Sequence, residues 1–199
     1  MNSRSRGLSI ILALCVSGAS QAAVFTTQLT GPNEAPPNTS PGTGRGTVNF
    51  DLAAHLLNID MSFSGLTSGT AAAHIHCCVA PPGTAPVATQ VPTFAGFPLG
   101  VTSGSYNRSF NTLDPATWNP SFVTASGGTA AGAEAALAAG LAAGTSYLNV
   151  HTTAFPGGEI RGFLTATASG EAPEPGAAAL FAIALGALVA ARSKPARRS

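Results

Sequence analysis

The sequence predicts an all-β domain, an antiparallel sandwich or barrel of the Greek-key type, with one short helix. Two observations carry this prediction: several short segments have an apolar residue at every second position, and the connections between them are rich in Gly and Pro. The chain has 199 residues, of which 45% are hydrophobic and 9% charged. This length suits one domain with short appendages.

The predicted strands follow one another at short intervals. Alternation is clearest at 47–52, where Val48, Phe50 and Leu52 are apolar, and at 57–63. Further β-type segments lie at 24–29, 72–79, 101–110, 147–152 and 160–167. An alanine-rich stretch at 130–143, ending at Gly144, predicts the helix.

Charge is distributed unevenly along the chain. Six of the nine basic residues lie at the two ends, whereas residues 23–175 carry three basic and eight acidic residues, a net charge of −5. An acidic domain without a basic patch offers no surface for a phosphate backbone, so nucleic-acid binding is excluded.

The N-terminus predicts a secretory signal peptide over residues 1–22. Arg4 and Arg6 precede a short apolar core at 8–16, and Ser20-Gln21-Ala22 places small residues before a cleavage point. The mature chain would begin at Ala23, the first residue of a domain predicted over 23–169. The alternative for residues 1–22 is a buried N-terminal helix.

The C-terminal segment 170–199 predicts a membrane helix with a basic tail. Pro173-Glu174-Pro175 is followed by apolar residues 176–191, which as a helix would extend about 24 Å, slightly less than a hydrocarbon core of about 30 Å. This order resembles the PEP-CTERM sorting signal of Gram-negative bacteria. The resemblance implies recognition by an exosortase, cleavage near Pro173-Glu174-Pro175 and delivery to the cell surface or extracellular matrix. The alternative is an ordinary membrane anchor.

The segment 73–79 contains a candidate metal site. On a strand, His74, His76 and Cys78 would share one face, with the two imidazoles about 6–7 Å apart. If strand 147–152 is a neighbour, His151 supplies a third nitrogen. Three imidazoles, with a thiolate from Cys78, suit copper or zinc. The alternative is a set of solvated histidines; His55 is interpreted as structural.

The adjacent cysteines Cys77 and Cys78 leave three arrangements open. They could form a vicinal disulfide, Cys78 could bind the metal while Cys77 is buried, or they could bridge two chains.

The closing motif Pro156-Gly157-Gly158 predicts a tight turn before a strand. Ile160 and Leu164 would face the core. Glu159 and Arg161 would form an ion pair at the surface or rim, although Glu159 could instead be a metal ligand or a partner of a histidine.

Four motifs together resemble the CHRD domain, over roughly residues 24–166. They are Ala73-His74-Ile75-His76, Gly104-Ser105-Tyr106-Asn107, Tyr147-Leu148-Asn149-Val150-His151-Thr152 and Phe155-Pro156-Gly157-Gly158-Glu159-Ile160-Arg161-Gly162. The resemblance implies an all-β exported domain of undetermined biochemical role. The His-x-His strand is also similar to that of copper/zinc superoxide dismutases. Their site needs four copper histidines and an aspartate, whereas this chain has four histidines in all and one of them, His55, is poorly placed, so dismutase activity is not expected.

The sequence shows no nucleophile elbow and no acid pair placed around a substrate. We therefore expect an exported, non-enzymatic cell-surface or matrix protein that binds copper or zinc. The alternatives are a metal-dependent redox or hydrolytic enzyme and a structural or adhesive module without metal. The expected partners are the exosortase machinery, the membrane before processing and an extracellular polysaccharide matrix.

Overall fold

The computed structural model describes residues 22–167. The predicted signal peptide, apart from its last residue, lies outside this range, as do Pro173-Glu174-Pro175 and the predicted helix 176–191. Among residues 22–167, no helix combines the length and apolar character needed to cross a membrane.

The described chain is mostly antiparallel β-sheet, which confirms the all-β prediction. Its strands are β1 (Ala23–Thr30), β2 (Thr43–Asp51), β3 (Leu56–Ser64), β4 (Thr70–Cys77), β5 (Gly104–Asn111), β6 (Ser146–Thr152), β7 (Ile160–Phe163) and β8 (Thr165–Ala166). They form one sheet in the order β4-β6-β7-β1-β2-β3-β5, with β8 paired to β1. The sheet curls into a half-barrel.

Helices cover part of this sheet. They are α1 (Pro120–Ala125) and α2 (Ala130–Ala142), with short 3-10 helices at Gly31–Asn33 and Pro115–Thr117. α2 confirms the predicted helix: the Thr129 side chain accepts a hydrogen bond from the backbone N–H of Gly132 at its start. Leu137 and Leu141, four residues apart, are both buried, as one packed helix face requires.

The alternating apolar residues form the core. Val48, Ile59 and Met61 are almost fully buried. Leu52, the last residue of the alternation at 47–52, is 47% exposed because β2 ends at Asp51 and the chain turns there.

An irregular segment covers the outer edge of β4. Between residues 86 and 100 it pairs with the strand through Cys77 N to Pro86 O (3.2 Å), Ala88 N to Ile75 O (2.9 Å) and Phe94 N to Ala73 O (3.2 Å). The edge backbone groups are thereby satisfied. This cover also brings loop carbonyls over the polar face of β4.

The predicted surface ion pair between Glu159 and Arg161 is wrong, because both side chains are buried, at 0% and 1% exposure. Glu159 accepts hydrogen bonds from Ser40 Oγ (2.6 Å), from Thr67 N (2.7 Å) and from Thr152 Oγ1 (2.6 Å). Burial alone would raise the pKa of this carboxyl group, but these hydrogen bonds outweigh it and lower the pKa.

Arg161 binds the loops that cover its strand face. Its guanidinium donates to Asn33 O (2.5 Å), Pro82 O (2.7 Å) and Gly83 O (3.2 Å), and it lies 4.8 Å from the ring centroid of Tyr147. Its Nε is 3.8 Å from Glu34 Oε2. Two loops distant in sequence fold over this face, so a strand position that alternation predicts to be exposed becomes interior. Ile160 and Leu164 are in the core, as predicted.

We expect Arg161→Met to destabilise the domain by about 3–5 kcal/mol, because it leaves Glu34 buried without its cation and three carbonyls without their donor. Urea unfolding of the full chain, with chelator present, measures this. Arg108→Met is the matched control: Arg108 is exposed and donates to one carbonyl, Ala95 O, so about 0.5 kcal/mol or less is expected. Equal unfolding midpoints for the two variants would contradict the stabilising role assigned to the hydrogen bonds of Arg161.

Candidate metal site

The pairing of β4 with β6 assembles the site. The two strands are antiparallel neighbours, with His74 opposite Asn149, His76 opposite Tyr147 and Ala72 opposite His151. Since the side chains of one strand alternate between faces, His74 and His76 share a face with Tyr147, Asn149 and His151. The structure thus meets the condition under which His151 joins His74 and His76.

Three imidazoles converge on this face. His74, His76 and His151 each offer one ring nitrogen, and these three nitrogens lie within 4.8 Å of one another. The ring centroids are 5.9 Å apart for His74 and His76, 5.2 Å for His74 and His151, and 6.0 Å for His76 and His151. Three imidazole nitrogens at this spacing form a group that could hold a metal ion.

A backbone carbonyl orients each ring. His74 Nε2 lies 2.8 Å from Pro92 O, His76 Nδ1 2.8 Å from Ala85 O, and His151 Nδ1 2.9 Å from Pro156 O. A carbonyl oxygen only accepts hydrogen bonds, so each of these ring nitrogens carries a proton. The second nitrogen of each neutral ring then presents a lone pair.

Those second nitrogens are buried and have no hydrogen-bond partner within the described residues: His74 Nδ1, His76 Nε2 and His151 Nε2. The pKa of His74 and of His76 is lowered to about 4, mainly by burial; the carbonyl hydrogen bond opposes this shift and the neighbouring imidazoles add to it. Burial also lowers the pKa of His151. The three rings are therefore neutral near pH 7, the state in which histidine binds metals.

One side of the cluster is walled by an aromatic and cationic stack. The Tyr147 ring lies parallel to the His76 ring at 4.7 Å, and Arg161 lies on Tyr147. Next to it, Asn149 Nδ2 donates to Glu34 Oε1 at 2.7 Å. Burial raises the pKa of Glu34 to about 7, although the charge of Arg161 and the Asn149 hydrogen bond both oppose this shift.

Cys78, the fourth predicted ligand, is not among the groups that converge with the histidines. Of the arrangements left open, the structure contains the vicinal disulfide Cys77–Cys78. Its two sulfurs lie at the end of β4 against α2, where a Cβ atom at Gly140 would collide with both of them. A disulfide sulfur is not a thiolate, so the site consists of imidazoles.

His55 lies apart from the cluster, as expected. Its Nδ1 is 3.0 Å from Glu134 Oε1 on α2, and the same carboxylate accepts a hydrogen bond from Thr112 Oγ1. His55 thus connects the turn before β3 to the helix and has a structural role.

Sequence reasoning missed the groups that orient the rings. The carbonyls of Ala85, Pro92 and Pro156 carry no side-chain signature, and only the folded loops bring them to the histidines. The position of Asn149 beside the cluster could have been predicted, since Asn149 and His151 are two residues apart on one strand and share a face.

The comparisons with known proteins agree with the motifs. A search of curated proteins and a search of solved structures find no match. The family model described as the CHRD domain matches residues 25–164, which is more than half of the chain and includes all three histidines of the cluster. The chain therefore belongs to the CHRD domain family.

Proposed function

We propose that this protein is an exported, non-enzymatic cell-surface or matrix protein whose CHRD domain binds one copper or zinc ion through His74, His76 and His151. One observation carries the proposal: ring nitrogens of His74, His76 and His151 lie within 4.8 Å of one another. Each ring is oriented by a backbone carbonyl and keeps one buried nitrogen without a hydrogen-bond partner among the described residues.

The unsatisfied nitrogens support a cation at this position. Leaving a buried acceptor without a partner costs about 1–3 kcal/mol, and here three such acceptors are side by side. One ion would satisfy all three. Hydrogen bonds from the outer ring nitrogens to carbonyls fix tautomer and ring orientation, as they do for metal-bound histidines generally.

The donor set favours copper or zinc. Imidazole nitrogens suit these ions, whereas magnesium and calcium prefer oxygen ligands. When bound, such an ion would supply Lewis acidity or redox chemistry. The nearby carboxylates support a binding role, because they are engaged in structural bonds: Glu34 with Asn149 and Arg161, and Glu159 with Ser40, Thr67 and Thr152.

Family membership suggests an extracellular domain. The ends of the sequence support a route: a signal peptide over 1–22 for export, then Pro173-Glu174-Pro175, helix 176–191 and a basic tail for sorting by an exosortase. The released domain would reach the cell surface or an extracellular polysaccharide matrix.

We expect the full chain, purified without a polyhistidine tag and supplied with copper or zinc, to retain about one ion per chain. Mass spectrometry of the metal content measures this. His74→Ala/His76→Ala should lose the ion, because one imidazole is left. His55→Ala, which removes a histidine outside the cluster, should keep it.

The metal assignment fails if the wild-type chain retains neither ion. It also fails if His55→Ala loses as much metal as the double variant, since binding would then not depend on the cluster.

We expect the metal-free protein to lose stability as the pH falls from about 6.5 to 4. The folded-state pKa of His74 and of His76 is about 4, below the unfolded value of 6.5. The unfolded chain therefore takes up protons first. This lowers the free energy of unfolding by at most about 3 kcal/mol per histidine. Glu34, whose pKa is raised to about 7, acts in the opposite direction.

Thermal unfolding with chelator across this pH range checks the expectation. The variant His74→Gln/His76→Gln should have a flatter profile, and because Glu34 is present in both proteins, the difference isolates the histidines. Parallel profiles would show that the two rings are not held neutral by burial.

The sorting proposal predicts that replacing Pro173-Glu174-Pro175 by three alanines retains the protein in the inner membrane of a host with an exosortase. Cell fractionation measures its distribution, and Glu171→Ala, just before the motif, is the control. Unchanged surface delivery of the triple variant would contradict recognition of this motif.

A further inference from the structure

A fourth polar group accompanies the three imidazoles. Within residues 22–167, the buried side-chain atoms without a hydrogen-bond partner are His74 Nδ1, His76 Nε2, His151 Nε2, Asn149 Oδ1 and Ser146 Oγ. All but Ser146 Oγ belong to side chains on the same face of β4 and β6. Asn149 is 2% exposed, so water does not readily satisfy its oxygen.

The reach of Asn149 matches that of His74. The two residues are directly opposite in the β4–β6 register, so their Cβ atoms are about 4.5–5.5 Å apart. His74 offers Nδ1, and Asn149 offers Oδ1, and both atoms are two bonds beyond Cβ. The two donor atoms therefore have the same reach from their strands, so that an ion with bonds of about 2.0–2.2 Å can contact both.

The orientation of the Asn149 amide is fixed from the other side. Asn149 is flanked by His74 on β4 and by Arg161 on β7. Its Nδ2 donates to Glu34 Oε1 at 2.7 Å, and Glu34 in turn lies 3.8 Å from Arg161 Nε. Nδ2 and Oδ1 point to different sides of the amide carbon. When the Glu34 hydrogen bond holds Nδ2 on the side of Arg161, Oδ1 points towards the histidines.

Gly158 makes this arrangement sterically feasible. A Cβ atom at Gly158 would lie 2.7 Å from Asn149 Nδ2 and 2.7 Å from Glu34 Oε1. Its φ of 130° is also a conformation that side-chain-bearing residues rarely adopt. The turn before β7 therefore closes against the hydrogen bond that orients the amide.

We propose that Asn149 supplies a fourth ligand, through Oδ1, to the ion held by His74, His76 and His151. Glu34 is a positioning residue, which holds the amide through Nδ2 and does not touch the ion. The coordination shell is then three nitrogens and one neutral oxygen. This inference rests on the proposed metal site and extends it to a neutral amide ligand.

The test compares two replacements of Asn149 in the full chain, with Cu(II) alone as the probe. Asn149→Asp keeps an oxygen at the Oδ1 position but loses the Nδ2 donor. Asn149→Leu has a similar size and loses both. Asn58→Asp and Asn58→Leu, on the outer face of β3, are the matched controls. Thermal unfolding without metal checks that each variant folds, and Asn149→Ala replaces the leucine variant if that one does not.

We expect Asn149→Leu to weaken Cu(II) binding at least about tenfold and to change the Cu(II) electron paramagnetic resonance spectrum. Azide should also bind its copper at lower concentration than in the wild type, because the fourth position is open. Asn149→Asp should lose less affinity for Cu(II) than Asn149→Leu, since the oxygen donor remains although the hydrogen bond to Glu34 that positions it does not. Both Asn58 variants should behave as wild type.

Two results overturn the inference while leaving the histidine site in place. If Asn149→Asp loses as much affinity as Asn149→Leu, the residue acts only through its hydrogen bond to Glu34. If neither variant changes affinity, spectrum or azide binding, Asn149 is not a ligand. A wild-type chain that binds no Cu(II) would instead overturn the proposed function itself.

Discussion

The antiparallel pairing of β4 with β6 is the constraint on which the site depends. It places His74 opposite Asn149 and His76 opposite Tyr147, and it brings His151 beside Ala72. A shift of one residue in this register would turn His151 and Asn149 to the opposite face, where Ala73, Ile75, Leu148 and Val150 form core. The apolar face thus specifies the register, and the register assembles the imidazoles on the polar face. The register that buries the apolar face is therefore the same one that forms the site.

The loops above the sheet determine the chemistry of the rings. The carbonyls of Ala85 and Pro92, in the loop beside β4, and of Pro156, in the turn before β7, each accept a hydrogen bond from one ring nitrogen. The other nitrogens are thereby left as buried lone pairs, and burial keeps the rings neutral. Arg161 binds both loops near this face through backbone carbonyls. Its positive charge near His76 opposes protonation of that ring and would also repel a cation, so the imidazole donors must outweigh it.

The features that depend on local patterns could be predicted from the sequence. Alternation located the strands, alanine content located α2, and the spacing of His74 and His76 with the face of His151 identified the cluster. The features that depend on long-range contacts could not. Glu159 and Arg161 are interior because loops far away in sequence fold over them. Cys78 shares the predicted face only while the strand is regular, and β4 ends at Cys77, where the sulfurs meet α2.

The central claim is that one ion binds where three imidazoles converge, and anomalous diffraction tests it most directly. Crystals of the metal-free protein would be soaked in zinc, and data collected on both sides of the zinc absorption edge. We predict one strong peak about 2.0–2.1 Å from His74 Nδ1, His76 Nε2 and His151 Nε2. Crystals that show zinc only at surface carboxylates, with the imidazoles still within hydrogen-bond distance of Pro92, Ala85 and Pro156 and no peak between them, would contradict the account.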